Sequence, residues 1–416
     1  MKKVLMLASG FKYGPRDSFN LGDVAQQTQG VETLKSCLPG WGIKAVANSI
    51  HEVGLVPDAV PFKDIICYLA APEYGGSLKR RGVGFVRSML FLWNAWRRKR
   101  GLRSRFLGSK GRKALGQLAD SDLLFASGAG NLHDGYMGGV GFFWCLMFIA
   151  ASMLDIPVVM VGQQVGPLKG FFASRLVAFA LRRASFVGVR DPLSYETAKQ
   201  LGVLEKNLHL TGDDGWHLSS TAEAEDKAKE VLAEHGISGK FISVQFRLDG
   251  NNPWEKEIAK LRLRLEELAD NYGLPIVFIP FFSAAIFDDK DACRELAKEI
   301  TATTALIDPG PDAALAKALL GHSALAVGVA NHFCVFAASM GVPTIGLHAT
   351  PYMAHKLQGL QRHCDHVVSL AATSLSDPKS LVCAAETLLQ LARVVPGKHL
   401  DRRPPDYLDW VQLVKV

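Results

Sequence analysis

Apolar residues fall in short runs, each closed by a glycine-rich or polar turn and followed by a stretch with helical spacing. That alternation predicts strand, helix, strand units over most of the chain. The clearest unit lies between Ala324 and Gly359. Ala324 to Val329 reads as a buried strand, the chain turns at Ala330-Asn331-His332, and a small-residue helix follows from Phe333 to Met340. Gly341-Val342-Pro343 breaks that helix before a second strand, Thr344 to Leu347. Ligands of such units sit beyond the carboxyl ends of the strands, which places His332, His348, Tyr352 and Lys356 on the ligand side.

The same alternation runs through the preceding residues. A strand at 2–9 leads by a loop to a helix from Asp23 to Leu38, approached through Asn20-Leu21-Gly22-Asp23, with Asp23 as its expected cap. Asp122 to Ser127 is a strand running into Gly128-Ala129-Gly130-Asn131-Leu132-His133-Asp134-Gly135. Strand, glycine-rich loop and helix in that order suit an anion, because Gly128 and Gly130 let backbone amides approach it. His133 and Asp134 either line that site or make local turn bonds. Val158 to Val161 ends in a second glycine loop, Gly162-Gln163-Gln164-Val165-Gly166-Pro167. Phe186 to Val189 delivers Arg190 and Asp191, where Arg190 is either half of an ion pair or a fork for phosphate or carboxylate. His209 to Thr211 ends at Gly212-Asp213-Asp214.

A second series begins with Phe241 to Phe246, closed by Arg247. After a break at Asn251-Asn252-Pro253 come a helix to Tyr272 and a strand from Pro275 to Phe281. A helix from Asp289 to Thr301, a strand from Ala305 to Ile307 and a helix from Asp312 to Leu320 complete it. The expectation is an α/β fold of two Rossmann-like, doubly wound domains facing across a cleft. The first spans 1–215 and carries an insertion at 79–113; residues 216–240 form a linker and helix, 241–380 the second domain, and 381–416 a helix and tail.

Composition narrows the class. With 416 residues, 48% apolar and 21% charged, the chain is long enough for two cores. Seven cysteines without a CxxC pair point to neither a zinc site nor a disulfide framework, and fit a reducing, cytosolic setting. The apolar run of MKKVLMLASG is too short for a signal peptide and reads as a first strand, and Val140 to Leu154 reads as a buried helix rather than a membrane span. The net charge of +7 is local: residues 79–113 hold thirteen Lys and Arg and no Asp or Glu, so the remainder carries 7 − 13 = −6. Phe85, Phe91, Trp93 and Trp96 sit among those cations, a mixture suited to an anionic bilayer surface or to a solvated insertion. No nucleic-acid-binding module surrounds the basic run.

Assembled in order, these segments resemble the polysaccharide pyruvyl transferase family from about Lys3 to Leu360, outside the insertion. Asn20-Leu21-Gly22-Asp23 is similar to the family's Asn-x-Gly-Asp, and Gly128 to Asp134 to its glycine-rich loop. Gly162 to Pro167 is similar to Gly-Gln-x-x-Gly-Pro, Arg190-Asp191 with Ser194 to Arg-Asp-x-x-Ser, and Thr211-Gly212-Asp213 to the following Gly-Asp. His332, Phe336-Ala337-Ala338, Gly341-Val342-Pro343, Tyr352 and Lys356 match the carboxyl-terminal signature. Where the family commonly has Arg-Leu-His, this chain has Ala330-Asn331-His332.

The resemblance implies a two-Rossmann, glycosyltransferase-like (GT-B-like) fold. It also implies transfer of a pyruvyl group from phosphoenolpyruvate to a sugar, with the donor as substrate and no cofactor or metal. Ketal formation needs a proton for the methylene carbon, stabilisation of an oxocarbenium, and a base for the attacking hydroxyl. On this reading His332 is the acid, because imidazole titrates near neutrality. Asp213 or Asp134 receives the acceptor's proton. Arg190, Arg247, Lys356, Gly128, Gly130 and Asn331 hold the donor's anionic groups, and Asn20, Asp23, His133, Gln163, Gln164 and Tyr352 face the acceptor, a sugar or lipid-linked oligosaccharide. Two alternatives remain open: a glycosyltransferase using a nucleotide-sugar donor, and a non-catalytic glycan-binding protein that has lost the donor site.

Overall fold

In the computed structural model the described residues are 1–8, 18–47, 60–61, 78–137, 139–248, 254–284, 287–394 and 405–414. The chain divides into two compact units. Unit 1 comprises residues 1–11, 26–214 and 403–416, and unit 2 comprises residues 12–25 and 215–402.

The strands, in chain order, are β1 (Lys3–Leu7), β2 (Phe19–Asn20), β3 (Gly42–Ala47), β4 (Val60–Pro61), β5 (Leu123–Ala126) and β6 (Ala129–Leu132). They continue with β7 (Val158–Val165), β8 (Phe186–Val189), β9 (Leu208–Leu210), β10 (Ile242–Gln245), β11 (Ile276–Phe278) and β12 (Phe282–Ala284). The last are β13 (Phe287–Asp288), β14 (Thr304–Leu306), β15 (Leu325–Gly328), β16 (Thr344–His348) and β17 (Val367–Ala371).

Unit 1 is built on a parallel sheet of order β4-β3-β1-β5-β7-β8-β9, with β6 pairing to β7. Successive side chains of a strand point to opposite faces, and β1 obeys this. Leu5 and Leu7 enter one core layer, Val4 and Met6 the other. The first layer contains helices Leu78–Lys99, Val140–Met153 and Phe171–Leu181. Val140–Met153 is apolar on every side and buried from Gly141 to Ala151, so it is a core helix as the sequence indicates. The second layer takes Val31 and Leu34 of helix Leu21–Cys37 together with Tyr407, Trp410 and Val414.

Unit 2 has a parallel sheet of order β14-β11-β10-β15-β16-β17 and a small antiparallel sheet β13-β12-β2. Helices cover both faces of the parallel sheet. Ala316, Phe333 and Leu357 lie in one layer, and Leu265, Leu296 and Leu388 in the other. This is the doubly wound pattern. Burial pushes the thiols of Cys145 and Cys334 up to about 12, as an apolar core does to any thiol. Among the described residues no helix is long and apolar enough to cross a membrane.

Three local expectations change. The run Gly162 to Val165 is not a loop but the buried end of β7, where Gly162 takes a positive φ of 60° and the pairing register with β8 shifts between Met160 and Gln163. Ala129 to Leu132 of the glycine-rich loop is strand as well, paired with β7. The first helix starts at Leu21, and Asp23 lies in its first turn rather than at its cap; Asn20 Oδ1 accepts from the Gly22 amide at 3.2 Å. The break at Asn251-Asn252-Pro253, the proline-rich stretch 395–404 and the side chains of Lys79, Arg80 and Arg81 lie outside the described residues.

Candidate functional site

In unit 2 the strand order reverses between β10 and β15, the position where doubly wound sheets bind ligands beyond their carboxyl ends. Gln245, the last residue of β10, ties the two strand ends together. Its Oε1 accepts from the amides of Val329 (3.2 Å) and Ala330 (2.8 Å), and its Nε2 donates to Asp289 Oδ2 at 2.7 Å. Asp289, wholly buried, also accepts two bonds from Arg247 (2.7 and 3.0 Å) and one from the Phe281 amide (3.1 Å). A buried carboxylate needs that many donors. Arg247 is thus held by Asp289, with its guanidinium 4.7 Å from the Phe282 ring centroid.

That bracing sets the turn into helix Asn331–Ser339. Ala330 stands at the N-cap position, and no side chain caps the helix. Asn331 is only 6% exposed, and its Nδ2 has no hydrogen-bond partner among the described residues. An uncapped helix start with a spare amide donor is a ready anion site. His332 follows on the same turn. Its imidazole lies against Gly22 so closely that a β-carbon there would overlap the ring, which explains the glycine. The Leu21 amide donates to Phe281 O at 3.0 Å, and Asn20 pairs with Phe282 across β2 and β12. The Asn-x-Gly-Asp segment and the carboxyl-terminal histidine therefore meet within one unit. His348 ends β16, half-buried, with its pKa lowered by burial. Tyr352 and Lys356 lie on helix Pro351–His363, the Lys356 ammonium 4.3 Å from the Tyr352 ring centroid.

In unit 1, Arg190 is buried at the end of β8. It donates to Asp213 Oδ2 at 3.0 Å and to Gln164 Oε1, and its Nε lies 3.7 Å from Asp191. Asp191 caps helix Pro192–Gln200 through the Ser194 amide at 2.8 Å. Gln163 donates to the carbonyls of Ser127 and Val161 at 2.6 and 2.8 Å. Asp134 accepts from the amides of Lys169 (2.6 Å) and Gly170 (3.2 Å), and His133 caps the turn through Gly135 at 3.1 Å with its ring on Tyr136. The His133 bond is a local turn bond, whereas Asp134 holds the Lys169-Gly170 segment, remote in sequence. Gly130 lies within β6.

The carboxylate at the Gly128 amide is the chain's own Asp214, at 2.6 Å. A β-carbon at Gly128 would sit 3.1 Å from it and one at Gly162 2.9 Å, so both glycines make room for this buried acid. Tyr407 donates to its other oxygen at 3.2 Å. Burial pushes the Asp214 carboxyl up from 3.8 to about 7, and Asp213 adds to the rise while the bonds from Gly128 and Tyr407 oppose it. Between those two values the folded protein holds a proton that the unfolded chain releases, so stability falls as pH rises, by about 1.4 kcal/mol per pH unit. Above about pH 7 the contribution is flat. Asp214→Asn removes the proton and the slope. The Tm difference between wild type and Asp214→Asn should therefore shift steadily towards the variant from pH 4.5 to 6.5, and a constant difference would mean that the carboxyl stays ionised throughout.

Gln245, Asp289, Asp214 and Tyr407 are absent from the sequence-based site. Gln245 carried a signal, being a large polar residue at the buried end of a central strand. The duplicated acid at 213–214 carried a weaker one. Asp289 and Tyr407 act through partners remote in sequence, which local pattern does not reveal.

The polysaccharide pyruvyl transferase family model matches residues 45–348. No curated protein matches the sequence. Among solved structures, the UDP-GlcNAc 2-epimerase from Methanocaldococcus jannaschii aligns with a TM-score of 0.58 at 13% identity, covering 100% of this chain and 99% of its own. The UDP-GlcNAc 2-epimerase from Neisseria meningitidis bound to UDP-GlcNAc aligns at 0.58 and 11%, covering 100% and 98%. Anabaena HepE in complex with UDP-glucose aligns at 0.52 and 11%, again covering 100% and 98%. At such identities the likeness is one of fold, the GT-B-like arrangement of two parallel sheets.

Proposed function

The chain belongs to the polysaccharide pyruvyl transferase family, and from that premise we propose that it moves a pyruvyl group from phosphoenolpyruvate to two hydroxyls of a sugar in an exported or cell-surface polysaccharide, closing a ketal. The observation that carries this reading is the uncapped start of helix Asn331–Ser339, with the Asn331 amide and the His332 imidazole at the strand reversal. The donor presents a carboxylate and a phosphate, and a helix start offers amide donors and a positive dipole end to one of them. Asn331 adds a neutral donor beside position 330, where relatives commonly place arginine and this chain has alanine.

In the proposed reaction His332 donates a proton to the methylene carbon, which becomes a methyl group while positive charge develops on the adjacent carbon. Two sugar oxygens bond to that carbon and the phosphate oxygen leaves it. The two hydroxyl protons balance one taken up by carbon and one carried off by phosphate. The imidazole lies against Gly22, which supports reading His332 as a positioned acid.

Ligand-induced stabilisation tests the donor. A ligand at a hundred times its Kd stabilises by about 2.7 kcal/mol, enough to raise Tm measurably. Phosphoenolpyruvate is expected to raise it and UDP-glucose or UDP-GlcNAc to leave it unchanged. The reverse result would favour a nucleotide-sugar transferase, a reading supported by the UDP-GlcNAc and UDP-glucose bound in two of the matched structures. Stabilisation by glycan alone would indicate a binding protein.

A further inference from the structure

Helix Leu78–Lys99 turns one side inward, burying Gly84, Ser88, Phe91 and Ala95, which recur at helical spacing. Its other side is apolar and faces solvent. Phe85 is 51% exposed, Trp93 37% and Trp96 39%, with Val86 and Met89 between them, and Phe106 beyond the helix is 80% exposed and stacks on Trp93. Helices ordinarily present polar residues outward, so this arc calls for a partner. The partner's charge follows from the surroundings. Residues 83–113 carry ten Lys and Arg and no Asp or Glu, and nearly all of the ten are exposed. The Arg97 and Arg100 guanidinium groups lie 4.8 and 3.8 Å from the Trp93 and Trp96 ring centroids, spreading charge over the aromatic faces.

The neighbouring helices extend the pattern. Val140–Met153 packs against both Leu78–Lys99 and Phe171–Leu181, and this third helix also exposes aromatic residues, Phe171, Phe172 and Phe179. Arg175 and Arg183 stack on Phe171 and Phe179. Both outer helices of one layer thus combine exposed aromatic rings with arginine.

We propose that this layer of unit 1 docks on an anionic lipid surface, with Phe85, Met89, Trp93, Trp96 and Phe106 entering the interfacial region and the surrounding cations meeting lipid phosphates. Aromatic rings suit that depth because one edge is apolar and the other tolerates water, and long basic side chains reach from the apolar boundary to the headgroups. Peripheral attachment fits a chain whose described helices include none both long and apolar enough to span. It would bring the enzyme to acceptors carried on lipid, yet it needs neither donor nor acceptor, so its test is independent of the reaction.

The full chain would be sedimented with vesicles of phosphatidylcholine alone and of phosphatidylcholine mixed with phosphatidylglycerol. Binding to the mixed vesicles only, weakening with salt, is expected. Arg87→Gln/Arg98→Gln/Arg100→Gln should weaken it on the order of a hundredfold, since each basic residue near such a surface contributes about fivefold. Trp93→Ser/Trp96→Ser should weaken it at least as much. The three arginines are exposed, so that variant's Tm should stay near wild type. Trp93 and Trp96 are only 37% and 39% exposed, so Phe85→Ser/Phe106→Ser, at 51% and 80%, serves as the aromatic test should the tryptophan variant lose stability. Equal recovery in the soluble fraction with both vesicle types would overturn the proposal. So would variants that bind as wild type does, or a concentration-dependent dimer that Trp93→Ser/Trp96→Ser abolishes while vesicles remain unbound.

Discussion

His332→Gln is expected to lower kcat by a factor of about 10² to 10⁴, the range for removing a positioned general acid. Glutamine fills much of the imidazole's space and still forms hydrogen bonds, but it cannot release a proton, so the donor's KM should change far less than kcat. Gly22→Ala supplies a second route to the same loss. Its β-carbon would overlap the ring, so the imidazole or the start of helix Leu21–Cys37 must move. If proton delivery from a fixed position is what matters, Gly22→Ala should reproduce much of the kcat defect with His332 still present. Steady-state kinetics with phosphoenolpyruvate and a sugar acceptor would measure both. Wild-type turnover by His332→Gln would remove the histidine from the chemistry.

The second large effect is expected on stability. Arg190→Met strips the buried Asp213 carboxylate and Gln164 Oε1 of their shared donor, both in a site almost closed to solvent. Breaking a buried pair from one side costs about 3–5 kcal/mol, because the remaining charge is left unsolvated. For unit 1 unfolding by itself, about 200 residues, that is a drop on the order of 10 °C in Tm. Arg190→Met/Asp213→Leu removes both charges and should recover part of the loss. A Tm for Arg190→Met within a degree or two of wild type would show that Asp213 does not depend on the guanidinium.

Much of the fold was legible because parallel strands buried on both faces read as plain apolar runs. β1, β5, β8, β15 and β16 all lie where such runs occur, and the family model match and the fold likeness agree with the two-sheet reading. Legibility failed where polar residues are buried. Gly162-Gln163-Gln164 looked like a loop because amides and glycine favour turns, yet the Gln163 amide bonds to two backbone carbonyls and Gln164 bonds to Arg190, so the segment stays in the sheet. Gly128 looked like a ligand cradle, and the acid it cradles is Asp214. At the other site the motifs were each readable, but their meeting was not: nothing local in Asn20-Leu21-Gly22-Asp23 announces that Gly22 lies against His332. The two-residue strand that brings them together, β2 on β12, is too short to leave a pattern.

Tyr407 and Trp410 belong to unit 1, although the long stretch before residue 403 belongs to unit 2. Trp410 is fully buried against Phe125, their ring centroids 5.4 Å apart, and Tyr407 closes over Asp214. During synthesis, therefore, the first unit cannot finish when its last strand leaves the ribosome. Phe125 lacks the cover of Trp410, and the Asp214 carboxyl that of Tyr407, while the whole second unit is made. The same interleaving bears on gene exchange between relatives: a cut at residue 214 would transfer a sheet without its seal, and an exchangeable cassette has to carry three pieces of sequence.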